Sequence, residues 1–313
     1  MITLSPPPEQ AEKKHEHLAR DQRQAAETLN FRYLRERCCL SRGAVAAFTL
    51  AEVLITLGII GIVAAITIPT LIGNYKKQKN LNILKTAYSD LNKAVVDFNQ
   101  EYDCAEHLGS CTPNSGEFVW KFTNFLHDKK NYKSLYEVAP YYPDRNVWVK
   151  PKLLNNPNQL YTQWMIKKTE VPFSKEQGSA AVPHWLISPN GTYIFAIGVN
   201  MYDNYYTIDG KTPANQRYIR AFILIATNTS TLTKVGLDYQ NNTDLTLGKD
   251  LFEAFIVNNL RVVPNGSELC SNGGYYCSYW KKGNTCNQEQ TSVSNGRGCL
   301  SRIIEDGWQI KYY

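Results

Sequence analysis

Hydrophobic positions along this chain follow two regimes. From Val53 to Tyr75 there is no charged residue; these 23 residues, at 1.5 Å each, make about 35 Å of helix, enough for a hydrocarbon core of about 30 Å. Beyond Lys76, Lys77 and Lys79 the spacing changes without a break. Leu84, Ala87, Tyr88, Leu91, Ala94, Val95 and Phe98 recur at helical intervals, with Lys85, Asp90, Asn92, Lys93 and Asp97 filling the other side. Neither Gly nor Pro interrupts Asn74 to Asp103. A single helix is therefore expected from about Thr49 to Tyr102, apolar all round in its first half and amphipathic in its second.

The amphipathic half needs a surface to lie against, and the rest of the chain supplies one. Glu117–His127 reads as a short helix, and residues 128–180 as irregular, rich in Tyr, Pro and Asn. His184–Ser188 and Gly191–Gly198 flank Pro189-Asn190 and predict a hairpin. Tyr218–Thr227 and Leu232–Gly236 predict a second hairpin around Asn228–Thr231. Leu251–Val257 is apolar and open to either helix or strand, and Arg302–Tyr313 reads as two short strands around Asp306-Gly307. The expected class is α+β: a long N-terminal helix, transmembrane then amphipathic, packed on a small antiparallel β-sheet.

Composition adds the compartment. Of 313 residues, 43% are hydrophobic and 20 are Tyr, which allows a packed core; the net charge of +6 is scattered and marks no nucleic-acid site. Residues 1–47 are polar and charged, with Arg32, Arg35, Arg37 and Arg42 ahead of the apolar run, and read as a cytoplasmic leader. Positive charge on both sides of the run leaves orientation to the cysteines. Cys38 and Cys39 precede it; Cys104, Cys111, Cys270, Cys277, Cys286 and Cys299 follow, in loop-like sequence. Six such cysteines after a membrane segment read as disulfides outside the cytoplasm. Cys104–Cys111 closes a short loop, and the remaining four pair most simply as Cys270–Cys277 and Cys286–Cys299. Zinc is the alternative, but no CxxC or CxxH spacing is present.

Catalytic and cofactor motifs are missing from the sequence: it carries no GxSxG, HExxH or GxGxxG, and no cofactor is expected. Asp209–Pro213 ends like a phosphate loop, but Tyr205 stands where its first Gly belongs, so Asp209-Gly210 reads as a turn. His107, His127 and His184 are scattered and read as ordinary histidines. Asp238, Asp244 and Asp250 have the chemistry for calcium without EF-hand spacing.

The remaining candidate is Phe48-Thr49-Leu50-Ala51-Glu52, a carboxylate at the mouth of an apolar helix. A cut between Ala47 and Phe48 would create an amine with a pKa of roughly 8, four residues before Glu52. A lone Glu in lipid costs about 2.5–3.5 kcal/mol. An amine about 4 Å away offers about 4 kcal/mol at an effective dielectric of 20. An amine on a neighbouring subunit would therefore offset the cost and make Glu52 a register pin between helices. The plainer alternative is a wet Glu at the membrane edge.

Phe48 to Ile72, "FTLAEVLITLGIIGIVAAITIPTLI", strongly resembles the N-terminal methylation segment of type IV prepilins and type II secretion pseudopilins, in its Phe, the Glu five residues in, and the helix-interrupting Pro69. The resemblance covers about 55 residues, to Tyr102. It implies a pilin-like fold, and a membrane peptidase and N-methyltransferase that cuts before Phe48 and methylates its amine, keeping the positive charge. It also implies an inner-membrane assembly platform and partner pilin or pseudopilin subunits whose helices stack in a filament core, with Glu52 as the assembly residue. The chain departs from the family in having Ala47 before the cut, where Gly is usual, and in the length of its leader. The last residues, from Gly298, resemble the tails of some prepilin-like proteins more weakly.

The expected organisation is a leader over 1–47, removed; a transmembrane and filament-core helix over 48–75, bent near Ala65–Pro69; its amphipathic continuation over 76–103; and an extracytoplasmic head over 104–313. The resemblance implies a non-enzymatic filament subunit at the bacterial inner membrane, single-pass, then in the periplasm or at the cell surface. The alternative is a signal-anchored extracytoplasmic protein whose head binds a ligand or hydrolyses a substrate.

Overall fold

The computed structural model describes residues 49–104, 107–138, 147–154, 156, 164–166, 172–173, 183–199, 219–233, 245–269, 279–283, 285–287, 289 and 295–313. Ala47, Phe48, Cys270, Cys277, Asp238 and Asp244 lie outside them. The chain divides at Ile68–Pro69 into two units, and the division falls inside the first helix.

That helix, α1 (Leu50–Tyr102), is a single element of 53 residues that continues through Pro69. Its apolar part is long and apolar enough to cross a membrane. Leu54, Ile55, Leu57, Ile60, Ile62 and Ile66 are each more than half exposed. Farther along, Leu81, Leu84, Ala87, Leu91, Ala94, Val95 and Phe98 are buried at intervals of three and four, the stripe that a 3.6-residue period places on one face. Burying a Leu or Phe of this kind contributes about 1.5–3 kcal/mol relative to leaving it wet.

The stripe meets a second helix. After the short α2 (Leu108–Cys111), α3 (Ser115–Lys130) starts at Asn114, whose side chain accepts the Glu117 N–H at 2.8 Å, and stops at Asn131, which is left-handed with φ 56°. Phe98 of α1 lies edge-on to Phe118, Phe122 and Phe125 of α3, with ring centroids 5.4, 5.4 and 5.6 Å away. This is the offset geometry that aromatic quadrupoles favour.

Beneath the helices lies an antiparallel sheet. Its strands are β1 (Lys133–Ser134), followed by the one-turn α4 (Leu135–Val138), then β4 (His184–Ile187), β5 (Ile194–Val199), β6 (Ile219–Ala226), β7 (Leu251–Val257) and β8 (Arg261–Pro264), ordered β1-β4-β5-β6-β7-β8. Between β1 and β4 in the chain, β2 (Val147–Val149) and β3 (Trp164–Ile166) form a separate antiparallel pair. The α+β class expected from the sequence is present.

Both faces of the main sheet are covered. Leu186, Phe195, Ile197, Ile223, Ile225, Phe252 and Ile256 join α1 and α3 in one core. The alternate residues Trp185, Ile187, Ile194, Ala196, Leu224, Ala226 and Leu251 join Leu135, Val149, Leu232, Leu245 and Leu247 in a second core on the opposite face. Two-sided burial explains why β5, β6 and β7 read as unbroken apolar runs rather than alternating ones. A charge on β7 interrupts this setting. Glu253 of β7 is fully buried and accepts from Arg297 Nε at 2.7 Å and Asn265 Nδ2 at 2.6 Å, fastening the segment around Arg297 to the sheet.

Three expectations are corrected. The second hairpin does not form: Thr229–Thr233 is a short helix, α5, and β6 pairs instead with β7, which resolves Leu251–Val257 as a strand. The stretch expected to be irregular contains β1, α4, β2 and β3. Finally, Arg302–Tyr313 is not a strand pair. After α6 (Trp280–Gly283), α7 (Cys299–Glu305) ends in a paired cap: Trp308 N–H donates to the Ile303 carbonyl at 2.8 Å and Gly307 N–H to the Ile304 carbonyl at 3.1 Å, with Gly307 at φ 71°. Asp306-Gly307 thus stops a helix instead of turning a hairpin. The following residues do alternate, with Ile310 and Tyr312 buried and Gln309 and Lys311 exposed, but the buried ones pack into the α1 core without strand pairing.

Two disulfides close the described loops. Cys104 is bonded to Cys111 and Cys286 to Cys299, with Cα–Cα distances of 4.8 and 4.9 Å, the two of the three expected pairs that fall within the described residues. Beside the second, Gly266 at φ 85° passes so close to Gly298 that a Cβ there would sit 2.4 Å from its Cα. Only glycine fits this crossing.

Candidate functional site

The candidate residues gather at the start of α1. Thr49 precedes the helix, and its Oγ1 accepts the Glu52 N–H at 3.2 Å. Glu52 answers: its Oε2 accepts the Thr49 N–H at 2.8 Å and the Thr49 hydroxyl at 2.9 Å. The first turn of a helix has N–H groups without intrahelical partners, and this reciprocal pair satisfies two of them. A carboxylate here also meets the positive end of the helix dipole. Thr49 was not singled out from the sequence, although Thr-Leu-Ala-Glu ahead of an apolar run has the spacing of this cap.

The cap changes the account of Glu52. A carboxylate bonded at Oε2 by its own helix is partly compensated before any neighbour arrives. Its Oε1 makes no hydrogen bond among the described residues. Leu50, Leu54, Ile55 and Leu57 around it are exposed, so the carboxylate stands among exposed apolar side chains.

Among the described residues the other sequence candidates do not assemble into a reactive centre. His127 Nδ1 lies 2.7 Å from Asp128, and the His127 and His184 rings both lie against Phe173, while His107 sits beside the N-terminus of α2. Asp250 accepts the Thr246 N–H at 3.0 Å, and its burial raises the carboxyl above its usual range. Among the described residues no three His, Cys, Asp or Glu side chains are grouped to hold a metal.

A cleft of about 290 Å³ lies between α1 and the β4–β5 turn, lined by Asp90, Lys93, Asp97, Lys130, Tyr132 and Tyr193 among others. Several of its polar groups satisfy one another. Tyr193 donates to Asp90 at 2.6 Å and lies 2.7 Å from the Tyr132 hydroxyl, and Lys130 pairs with Asp97. Burial, with the negative Asp90 nearby, pushes the Tyr132 phenol up to about 12. Burial pushes Tyr193 up as well. Phenols held neutral in this way are structural, not poised to give up a proton at neutral pH.

Comparison with protein-family models, with curated proteins and with solved structures finds no match.

Proposed function

We propose that the chain is a subunit of a type IV pilus or type II secretion-like filament, made as a membrane-inserted precursor and working by assembly rather than catalysis. A prepilin-type peptidase would cut between Ala47 and Phe48 and methylate the new amine. The processed subunits would then pack their apolar helices together, with the head at the filament surface.

The observation that carries the reading is the exposure of α1 from Leu50 to Tyr75. The head takes its core from Leu81 onward, and from Leu50 to Tyr75 every residue but Ala64 is exposed. Lipid would cover that surface before assembly, and neighbouring helices afterwards. In a protein–protein core, Glu52 needs a cation, and the Phe48 amine of the next subunit is the one that processing would supply. Pro69 belongs to the same proposal. It lacks a donor and crowds the carbonyl four residues back, at Ala65, so a bend near Ala65–Pro69 would let neighbouring helices pack around it.

Two measurements test the proposal. N-terminal sequencing of membrane-derived protein should read Phe-Thr-Leu-Ala-Glu with a methylated first residue; a start after Ala65, as ordinary signal cleavage would give, removes the prepilin reading. Filament recovery at matched membrane levels then separates the two parts of Glu52. Glu52→Gln retains the ability to cap but carries no charge, whereas Glu52→Val loses both. If charge pairing drives assembly, both variants fail alike. If capping is what matters, Glu52→Gln assembles like wild type. Equal incorporation of Glu52→Val makes Glu52 only a tolerated edge residue, and wild type absent from filaments leaves a signal anchor.

A further inference from the structure

The head's last segment lies along α1 just beyond its apolar part. Trp308 packs on Tyr88 with ring centroids 5.9 Å apart, and Tyr313 reaches Lys77, which donates to its carbonyl. The segment therefore runs back along about 16 Å of helix toward the apolar part, since eleven residues separate Tyr88 from Lys77. At its end, two ammonium groups share one ring: Lys77 Nζ is 4.8 Å and Lys249 Nζ 4.7 Å from the Tyr313 centroid. Burial, with the charge of Asp250 acting on the phenol, pushes Tyr313 up to about 12, so the ring stays neutral between them. Lys76 and Lys79 are exposed on the adjoining turns of α1, and Lys311 is exposed on the segment itself.

Lys77 bonds the Tyr313 main-chain oxygen and Lys249 has the charge of Asp250 beside it, but Lys76, Lys79 and Lys311 make no ion pair among the described residues, whereas at the far end of α1 Lys129 pairs with Glu101 and Lys130 with Asp97. Charge along the amphipathic half is thus segregated. Carboxylates and their lysine partners lie at the distal end, and the exposed Lys76, Lys79 and Lys311, mixed with aromatic rings, lie next to the apolar stretch. Tyr and Trp favour the membrane–water boundary, lysine stems lie along apolar surface with the head in water, and lysines near an anionic leaflet are attracted over about a Debye length.

We propose that this collar, the exposed Lys76, Lys79 and Lys311 around Tyr313, binds the anionic headgroups of the leaflet from which α1 emerges, seating the head on the lipid surface before assembly. The inference rests on the reading that Leu50–Tyr75 occupies a membrane. Its partner is a negatively charged lipid surface rather than another protein.

The test uses the full chain reconstituted in phosphatidylcholine vesicles with and without phosphatidylglycerol, probed with spin-labelled forms of both lipids. Wild type should associate with the labelled anionic lipid in preference to the zwitterionic one by roughly fivefold at low salt, the factor expected for a single lysine at an anionic surface, and lose the preference in 1 M salt. The triple variant Lys76→Gln/Lys79→Gln/Lys311→Gln should lose it at low salt, while Lys129→Gln, at the distal end, should retain it. Protein that floats with the vesicles but shows equal association with both lipids overturns the collar and leaves the membrane reading standing. Protein that floats with neither vesicle overturns both. An unchanged preference in the triple variant places the lipid elsewhere and also overturns the collar.

Discussion

The two stretches of α1 are both helical and both rich in Leu, Ile, Val and Ala, yet they spend their apolar surface differently. Around Leu84, Leu91 and Phe98 it is buried within the chain and holds the sheet and α3 together. Around Ile55, Ile60 and Ile66 it is exposed. What separates them is the other side of the helix. Lys85, Asp90, Lys93 and Asp97 give the later stretch a wet face and hence a direction to fold toward, while the earlier stretch has no polar side and fits only an apolar surrounding.

The comparison breaks most visibly at Phe98. Phe98→Ala should destabilise the head by about 3–5 kcal/mol, because it leaves a cavity among Phe118, Phe122 and Phe125. Ile60→Ala should change the head's urea midpoint by less than about 0.5 kcal/mol. Comparable losses for the two variants would show that the apolar stretch is also part of the folded head. A smaller effect should follow from opening Cys286–Cys299. The double Ala variant should lose about 2–4 kcal/mol in the same unfolding assay while the protein stays in the membrane fraction.

The tyrosines of the cleft sharpen the comparison by pH. Below pH 10, folded and unfolded chains both keep the Tyr132 proton. Between 10 and about 12 only the unfolded chain releases it, so stability should fall across that window, by about 2 kcal/mol. Tyr132→Phe should remove only its own share and make this part of the profile shallower, because Tyr193 and Tyr313 are raised in the folded chain as well, and membrane retention should not follow it. Smallest is the cap at Glu52. Glu52→Val should fray the first turn of α1 at a cost of about 1 kcal/mol, seen as faster amide exchange there, while Glu52→Gln should exchange almost as wild type does. Head stability should be the same in both.

Most of α1 could be read directly, because 3.6-residue spacing and an unbroken apolar run are strong signals over 53 residues. The first hairpin could be read too, since Pro189-Asn190 supplies its turn and its strands are adjacent in the chain. The β6–β7 pairing could not. Its strands are separated by a helix and a long connection, and two-sided burial erased the alternation that would have marked a wet face. Asp306-Gly307 misled for a different reason: a left-handed Gly serves a helix stop as well as a hairpin turn, and the two differ only in what precedes them. At the candidate site the carboxylate was legible from its cost, but its capping partner was not, because Thr49 looks unremarkable until its backbone geometry is known.

The doubly covered sheet has a consequence for how such a sequence can drift. A strand with one wet face can exchange every second residue at little cost. In β5 and β6 nearly every position touches one of the two cores, so a change on either side leaves a void or a clash. Variation is pushed out of the strands and into the connections between them, so descendants of this chain would differ in their loops long before the order of their strands changed.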